Sequence, residues 1–362
     1  MRIAHLRVAA AGALLLAAAC APDSGSAAAG DPHVALLLPE SKTARYEAHD
    51  RPAFIDRVAD RCPACETTYA NANQSSQRQL AQAEAAITNG IDVLVLDPVD
   101  SVSAAAIVRA AHEADVAVVT YDRHVIGASA DFHVTVDNER VGELQARALL
   151  AAVDAEGDDA GDDDVIVQIH GSPTDDNASQ FKSGAQRVLT DADVTLGPSF
   201  DTPDWSPDQA QEQMERALAG LGHDRIAGVY AANDAMAGAA IATMKAAGLA
   251  GDLPPTTGQD AELSAIQRIL AGEQHMTVYK PIREQAEVAA DVALALARGQ
   301  APPDDLVTTT LEAGGGTPAH ILEPTVVTRD TVTDTVLSDG FWSVEDVCAP
   351  PFRDACEEAG IR

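Results

Sequence analysis

Short apolar runs alternate with amphipathic segments along most of the chain. Val34 to Leu38, Val93 to Leu96 and Val116 to Tyr121 are apolar throughout and predict buried strands. Between them, Arg45 to Asp60 and Gln77 to Thr88 carry apolar residues at helical spacing and predict helices. Strands without polar alternation are typical of parallel sheets that are covered by helices on both faces. The pattern therefore predicts an α/β fold.

The same alternation continues in the rest of the chain. We predict further strands at 67–70, 165–169, 226–231 and 276–279, and further helices at 102–114, 138–152, 178–190, 207–221, 235–247 and 261–271. The rhythm restarts after about residue 152, and a chain of this length exceeds what one core comfortably holds. We therefore predict two similar domains rather than one large sheet.

The N-terminus is typical of an exported protein. Arg2 and Arg7 precede an apolar run, Val8 to Ala19, which is too short to span a membrane and reads as a secretory signal. Cys20 follows directly, and this arrangement resembles the lipobox of bacterial lipoproteins. We expect a lipoprotein signal peptide at 1–20, lipidation at Cys20 and a flexible tether at 21–30. The alternative is an ordinary signal peptide that is cleaved elsewhere.

The remaining cysteines form two close pairs, Cys62 with Cys65 and Cys348 with Cys356. In an exported chain such pairs predict two local disulfides. Cys62 and Cys65 could instead form a redox motif or half of a zinc site. A redox pair favours the N-terminus of a helix, whereas this pair follows a predicted one, and a zinc site needs two more ligands.

Charge narrows the choice of ligand. Asp and Glu number 56 against 24 Lys and Arg, a formal net charge of −32, which argues against binding to nucleic acid. The densest acidic run, Asp154 to Asp164, lacks the ligand spacing of a calcium loop, and we interpret it as a solvated surface loop.

Polar side chains follow the predicted strands at the points where they end. They are Asp97, Asp122 and Arg123, His170, Asn233 and Asp234, Gln259 and Asp260, and Lys280. Ligands of open α/β sheets bind outside the carboxyl ends of the strands. These side chains therefore predict a polar site that is shared by the two domains.

The composition of this set indicates the class of ligand. Cationic donors are Arg45, Arg123 and Lys280, anionic acceptors are Asp122, Asp234 and Asp260, and Asn177 and Asn233 can do both. Balanced charges leave little net charge for a charged ligand to neutralise, and they suit a neutral sugar, whose hydroxyls donate and accept. Tyr46 and Trp205 could offer flat faces to the sugar ring or be partly buried in the core.

Eight collinear segments make the chain resemble the D-xylose-binding and multiple-sugar-binding proteins of ABC transporters, in the ribose/galactose-type periplasmic binding protein family. The segments are 39–46, 90–96, 121–123, 136–146, 171–178, 232–234, 258–261 and 276–281. The resemblance implies a type I periplasmic-binding-protein fold with two Rossmann-like lobes and a three-stranded hinge. It places the N-terminal lobe at 31–139 plus 282–318 and the C-terminal lobe at 140–281 plus 319–362.

The resemblance also implies a set of sugar contacts. They are Arg45, Tyr46, Asp122, Arg123, Asn177, Trp205, Asn233, Asp260 and Lys280, with Lys42 less firmly placed. Tyr46 stands where the xylose binders usually have tryptophan, and Asp137–Asn138 fits the approach to the hinge. Both cysteine pairs and the acidic loop depart from the family pattern, and we expect them to lie away from the site.

The implied function is that of an extracytoplasmic substrate-binding lipoprotein of an ABC sugar importer, anchored to the outer face of the cell membrane. We expect a monomer that binds a monosaccharide, with D-xylose favoured, that passes it to a membrane permease, and that uses no cofactor and catalyses nothing. The alternatives are a sugar sensor that signals to a receptor and a broader binder of glucose, galactose, arabinose or ribose. An exported glycosidase would need two carboxylates flanking one bond, and here neighbouring cations would keep the acids ionised. A sugar-responsive repressor would need a DNA-binding headpiece, where this chain has a signal peptide.

Overall fold

The apolar runs of the sequence form the central strands of a large sheet in a computed structural model, which describes residues 31–156, 165–192, 194–312 and 316–362. The predicted signal peptide, lipidation site and tether lie outside the described residues, as do residues 157–164 of the acidic run. The strands are β1 His33–Leu38, β2 Glu66–Asn71, β3 Val93–Leu96, β4 Ala117–Tyr121, β5 Phe132–Val136, β6 Val165–His170, β7 Thr195–Asp201, β8 Ile226–Ala231, β9 Thr277–Tyr279, β10 Thr309–Leu311, β11 Thr317–Leu322 and β12 Thr325–Val327.

Helices follow most of these strands and cover the sheets. They are α1 Arg51–Arg61, α2 Ser76–Thr88, α3 Ala105–Glu113, α4 Asn138–Glu156, α5 Asp176–Asp191, α6 Pro207–Leu221, α7 Asp234–Met244, α8 Leu263–Leu270, α9 Ile282–Ala297, α10 Val344–Val347 and α11 Arg353–Glu358. The helix predicted at 45–60 is in fact one turn of π-helix, Tyr46–Asp50, followed by α1. In the described ranges, no helix combines the length and apolarity that crossing a membrane would require.

Two sheets carry the architecture. The first has seven strands in the order β10-β11-β5-β4-β3-β1-β2, and all neighbours are parallel except β10, which runs antiparallel to β11. The second has three parallel strands in the order β7-β6-β8. Thr256 extends it by a parallel bridge to Val229 of β8. The predicted α/β class with two sets of parallel strands is confirmed.

The chain passes between the two sheets three times. It leaves the first sheet after β5 and enters α4 at Asn138, and it returns with α9, which packs on β3, β4 and β5. It leaves again after β11, when β12 pairs with β9 in a small antiparallel ribbon. The carboxyl ends of the parallel strands of both sheets face one another across these passages, which positions the site described below.

Both cysteine pairs are joined as disulfides, in the pairing that the sequence predicts. Cys62 ends α1, and its bond to Cys65 spans the turn into β2. The bond between Cys348 and Cys356 ties α10 to α11. Cys356 is buried in a cluster that also includes Phe341 and Tyr279.

Candidate functional site

A cavity lies between the carboxyl ends of the two sheets. Its lining residues are Thr43, Arg45, Tyr46, Asp122, Arg123, Asp175, Asn177, Phe181, Trp205, Asn233, Gln259, Asp260 and Lys280. The structure thus brings all nine sequence-predicted site residues together, although they come from segments far apart in the chain. Lys42 is exposed and does not line the cavity.

Arg45 and Tyr46 enter the cavity from the π-helical turn before α1. The Arg45 guanidinium makes a double hydrogen bond to Asp50, with Nη2 at 2.6 Å from Oδ1 and Nε at 3.0 Å from Oδ2. Its Nη1 is left to face the cavity, 3.5 Å from Asp122 and 3.7 Å from Asp260. The Tyr46 hydroxyl donates to Asp122 Oδ2 at 3.1 Å.

Asp122 occupies the centre of this network. Its Oδ1 is buried and has no hydrogen-bond partner within the described ranges, so it is available to accept a ligand proton. Burial alone would raise the pKa of the Asp122 carboxyl, but the charges of Arg45, Lys280 and Arg123 outweigh burial and hold the pKa below its usual value. Asp122 is therefore a carboxylate at neutral pH.

Arg123, the next residue, is shared between carboxylates. Its Nε lies 2.9 Å from Asp175 Oδ2 and 3.7 Å from Asp97 Oδ1. The same Asp175 oxygen accepts the indole N–H of Trp205 at 3.0 Å. Asp175 thus holds a cation of the first sheet and an aromatic ring of the second half in fixed orientation.

The part of the chain around the second sheet contributes an ion pair and two side-chain amides to the cavity. Lys280 Nζ lies 2.8 Å from Asp260 Oδ1 at the end of β9. Asn177 Nδ2 donates to the backbone oxygen of Asp122 at 3.2 Å, and its Oδ1 is buried and unpartnered in the described chain. Asn233 caps α7 through its Oδ1, which accepts from the Met236 N–H at 3.0 Å, so its Nδ2 remains for other partners.

Several site residues have an uncommon backbone conformation. Asp122 has φ 57°, Trp205 φ 52° and Asp260 φ 93°, in the left-handed region that non-glycine residues rarely adopt. Such conformations persist where the surrounding structure fixes them, and they cluster at binding sites. Gly171 allows the Trp205 ring to approach the backbone closely, because a Cβ at this position would lie 2.1 Å from the ring.

The prediction that Asp234 belongs to the polar site is wrong. Asp234 does not line the cavity, because its carboxylate accepts from Gln274 Nε2 and Thr277 Oγ1, each at 2.8 Å, and from the Glu262 N–H at 3.0 Å. Asp175 takes its place as the third acidic lining residue, and sequence reasoning missed it. Thr43 and Phe181 were also missed. Gln259, which the sequence analysis placed at a strand end, does line the cavity.

His170, another strand-end residue, also lies away from the cavity. Its side chain is 1% exposed, and neither ring nitrogen has a hydrogen-bond partner among the described residues. Burial, helped by the charge of Lys182 and opposed by that of Asp201, lowers the pKa of His170 to about 4.

We expect His170 to reduce stability in acid. The unfolded chain takes up a proton near its ordinary pKa of about 6.5, whereas the folded chain does so only near 4, so stability falls as pH decreases between these values. Replacing His170 with phenylalanine should remove roughly 2 kcal/mol of the loss between pH 6.5 and pH 5. Urea unfolding at both pH values measures this difference. Equal losses in the two proteins would contradict the buried, neutral imidazole.

Comparison with known proteins shows which family the sequence matches. The family model of the periplasmic binding protein domain matches residues 34–301. The D-xylose-binding periplasmic protein of Escherichia coli is 35% identical over 85% of this chain and 90% of its own length. A multiple sugar-binding periplasmic receptor of Rhizobium radiobacter is 30% identical over 74% of this chain and 80% of its own length. The solved structure of a carbohydrate transporter solute binding protein from Chloroflexus aurantiacus, in complex with D-glucose, is 28% identical, covers 86% of this chain and 97% of its own, and superposes with a TM-score of 0.76.

Proposed function

This chain belongs to the periplasmic binding protein family, and we propose that it is the substrate-binding component of an ABC sugar importer that captures a monosaccharide between two lobes. The observation that carries the proposal is the balance of the cavity lining, in which Arg45, Arg123 and Lys280 face Asp122, Asp175 and Asp260. Such a lining offers strong donors and acceptors without a net charge. It suits a neutral, polyhydroxylated ligand.

The cavity lining offers both kinds of partner that a sugar hydroxyl needs. Asp122 and Asp260 would accept protons from sugar hydroxyls, and Arg45 and Lys280 would donate to the same oxygens through charge-assisted bonds. Trp205 would pack its ring against the apolar face of the sugar.

Closure of the lobes would complete this set of contacts. We propose lobes of 31–139 plus 282–322 and 140–281 plus 323–362, with the hinge at the three passages between the sheets. The last boundary moves from the predicted 318/319 to the end of β11, because β11 pairs with β5 of the first sheet. Contacts that span the halves support a closed form, among them the Asn177–Asp122 bond and the His49 ring stacked on Phe341 at a centroid distance of 3.9 Å. A sugar that pairs every buried polar group favours this form, because each group left unpaired costs about 1–3 kcal/mol.

We favour D-xylose as the sugar, since the E. coli relative is named for it and shares 35% of its residues with this chain over most of both lengths. A second candidate is a broader monosaccharide binder, which the resemblance to a multiple sugar-binding receptor favours. That relative also keeps open a sensing role, in which the closed form is presented to a receptor.

The cellular setting that we propose follows from the N-terminus. Cys20 would carry the lipid and 21–30 would tether the monomeric binding domain to the outer face of the cell membrane, where it meets its permease. We also propose that the site binds without catalysis. The cations around Asp122 keep it ionised, which makes it a poor proton donor for glycoside hydrolysis.

A thermal-shift panel of residues 31–362 against pentoses and hexoses tests the proposal. A sugar present at 100 times its dissociation constant should stabilise the protein by about 2.7 kcal/mol and raise its melting temperature. A shift with D-xylose alone would support a dedicated pentose binder, and shifts with several sugars would favour the broader binder. If no sugar raises the melting temperature, the proposed ligand class is wrong.

A further inference from the structure

Asp97 is a buried carboxylate that the proposed sugar contacts do not use. It follows β3, its side chain is 0% exposed, and neither of its oxygens has a hydrogen-bond partner among residues that the structure describes. A buried carboxylate left in this state is costly, and native structures contain few of them. Its nearest cation is Arg123, whose Nε lies 3.7 Å from Asp97 Oδ1.

Arg123 is held on both sides of the cavity. It follows β4 of the first sheet, and its Nη1 donates to the backbone oxygen of Pro98, next to Asp97, at 3.3 Å. Its Nε is nevertheless directed to Asp175, at 2.9 Å. Asp175 precedes α5, on the side of the second sheet. In the proposed open form, Asp175 would move away with the second sheet, while Asp97 would remain beside Arg123, 3.7 Å from its Nε.

Buried carboxyl groups outnumber buried cations around the cavity. The carboxyl groups are Glu40, Asp50, Asp97, Asp122, Asp175 and Asp260, and the cations are Arg45, Arg123 and Lys280. Each of these acids except Asp97 has a hydrogen-bond donor or a cation within 3.1 Å of a carboxyl oxygen, whereas the nearest cation to Asp97 lies 3.7 Å away. Asp97 is therefore the acid in this group that is best placed to be protonated.

The surroundings of Asp97 favour its neutral form. Burial raises the pKa of the Asp97 carboxyl well above its usual value, Arg123 and Arg45 act in the opposite direction, and Asp122 and Asp175 add to the rise. The Tyr46 hydroxyl is also close enough to be affected by the Asp97 charge.

We propose that Asp97 is a positioning residue that pairs with Arg123 in the open form. On closure, Arg123 exchanges Asp97 for Asp175 as its ion-pair partner, and Asp97 takes up one proton from the solvent. This inference rests on the proposed function, because it assigns a role in sugar-linked closure. The Asp97–Arg123 pair would hold the empty protein open, and its loss would be part of the free-energy cost of closing.

This exchange of the Arg123 ion-pair partner makes sugar binding depend on pH. The carboxyl of Asp97 is paired, and easier to ionise, in the open form and unpaired in the closed form, so closure takes up a proton between the two pKa values. Sugar affinity should therefore increase as pH falls through this window and flatten below it. Calorimetric titrations in buffers with different ionisation enthalpies count the protons directly.

Two substitutions on the same guanidinium should have opposite effects. Asp97→Asn keeps the shape, removes the charge that holds Arg123 in the open form, and should tighten sugar binding by about tenfold, with no proton uptake. Asp175→Asn removes the partner of the closed form and should weaken binding by at least tenfold. Asp97→Leu serves as a second variant that abolishes hydrogen bonding at the position.

A measurement without ligand separates this inference from the proposed function. Small-angle scattering of the ligand-free mature chain should give a smaller radius of gyration for Asp97→Asn than for the unmodified protein, because the closed form gains population. A smaller radius of gyration without binding of any sugar would support the exchange of the Arg123 partner and reject the proposed ligand. Unchanged radius and affinity in both Asp97 variants, or weaker binding in them, would overturn the role of Asp97.

Discussion

Replacing Asp122 with asparagine is expected to weaken sugar binding by about a hundredfold or more while the protein remains folded. The carboxylate is buried, accepts from the Tyr46 hydroxyl and lies 3.5 Å from Arg45 Nη1. Removing one partner of a buried, hydrogen-bonded charge pair between protein and ligand costs about 2–5 kcal/mol of binding free energy. Each 1.4 kcal/mol corresponds to a tenfold change in affinity.

Asparagine is the informative substitution because Asp122 has φ 57°, a conformation that asparagine tolerates and alanine does not. The chain also provides a matched control. Asp115 has the same φ of 57°, is exposed and lies away from the cavity, so Asp115→Asn makes the same chemical and conformational change on the surface. Isothermal titration with the sugar that the panel identifies measures both variants. If the two variants bind equally well, Asp122 does not contact the ligand.

The carboxyl ends of the strands made six of the thirteen lining residues predictable from sequence. In parallel sheets these ends share one edge, so polar residues such as Asp122 and Lys280 could be grouped without knowledge of the packing. Asp234 and Asp175 show where this reasoning stops. Both adjoin the start of a helix, and tertiary contacts decide their roles. Gln274 and Thr277 donate hydrogen bonds to Asp234, whereas Asp175 pairs with Arg123 across the cavity.

Sequence reasoning missed β5, β7, β10, β11 and β12, and three of these strands have weak local signals. β7, Thr195–Asp201, contains a glycine and a proline and lies at the edge of the second sheet, where one side needs no partner. β10 and β12 are only three residues long and are fixed by pairing with β11 and β9. The π-helical turn that presents Arg45 and Tyr46 to the cavity also resembles an ordinary helix in sequence.

Two glycines explain why α4 and α5 pack closely behind the cavity. A Cβ on Gly142 of α4 would lie 1.9 Å from the backbone oxygen of Phe181 in α5. A Cβ on Gly184 of α5 would lie 2.0 Å from the backbone oxygen of Glu139 in α4. The contacts are reciprocal and involve backbone, so no side chain can rotate to relieve them. Phe181 lines the cavity, and α4 begins directly after the first passage between the sheets.

We expect Gly142→Ala to lower the free energy of unfolding by about 3 kcal/mol or more, at the upper end of the range for overpacked cores, because the two helices must move apart. Gly220 is the matched control, since it lies in α6 and a Cβ there has no atom within 4 Å. The same substitution at Gly220 should stabilise the protein by about 0.5–1 kcal/mol through the helix propensity of alanine. Urea unfolding of both variants measures the difference. A Gly142→Ala protein as stable as the unmodified chain would show that α4 and α5 can separate freely, and sugar affinity in that protein would reveal whether Phe181 moves with α5.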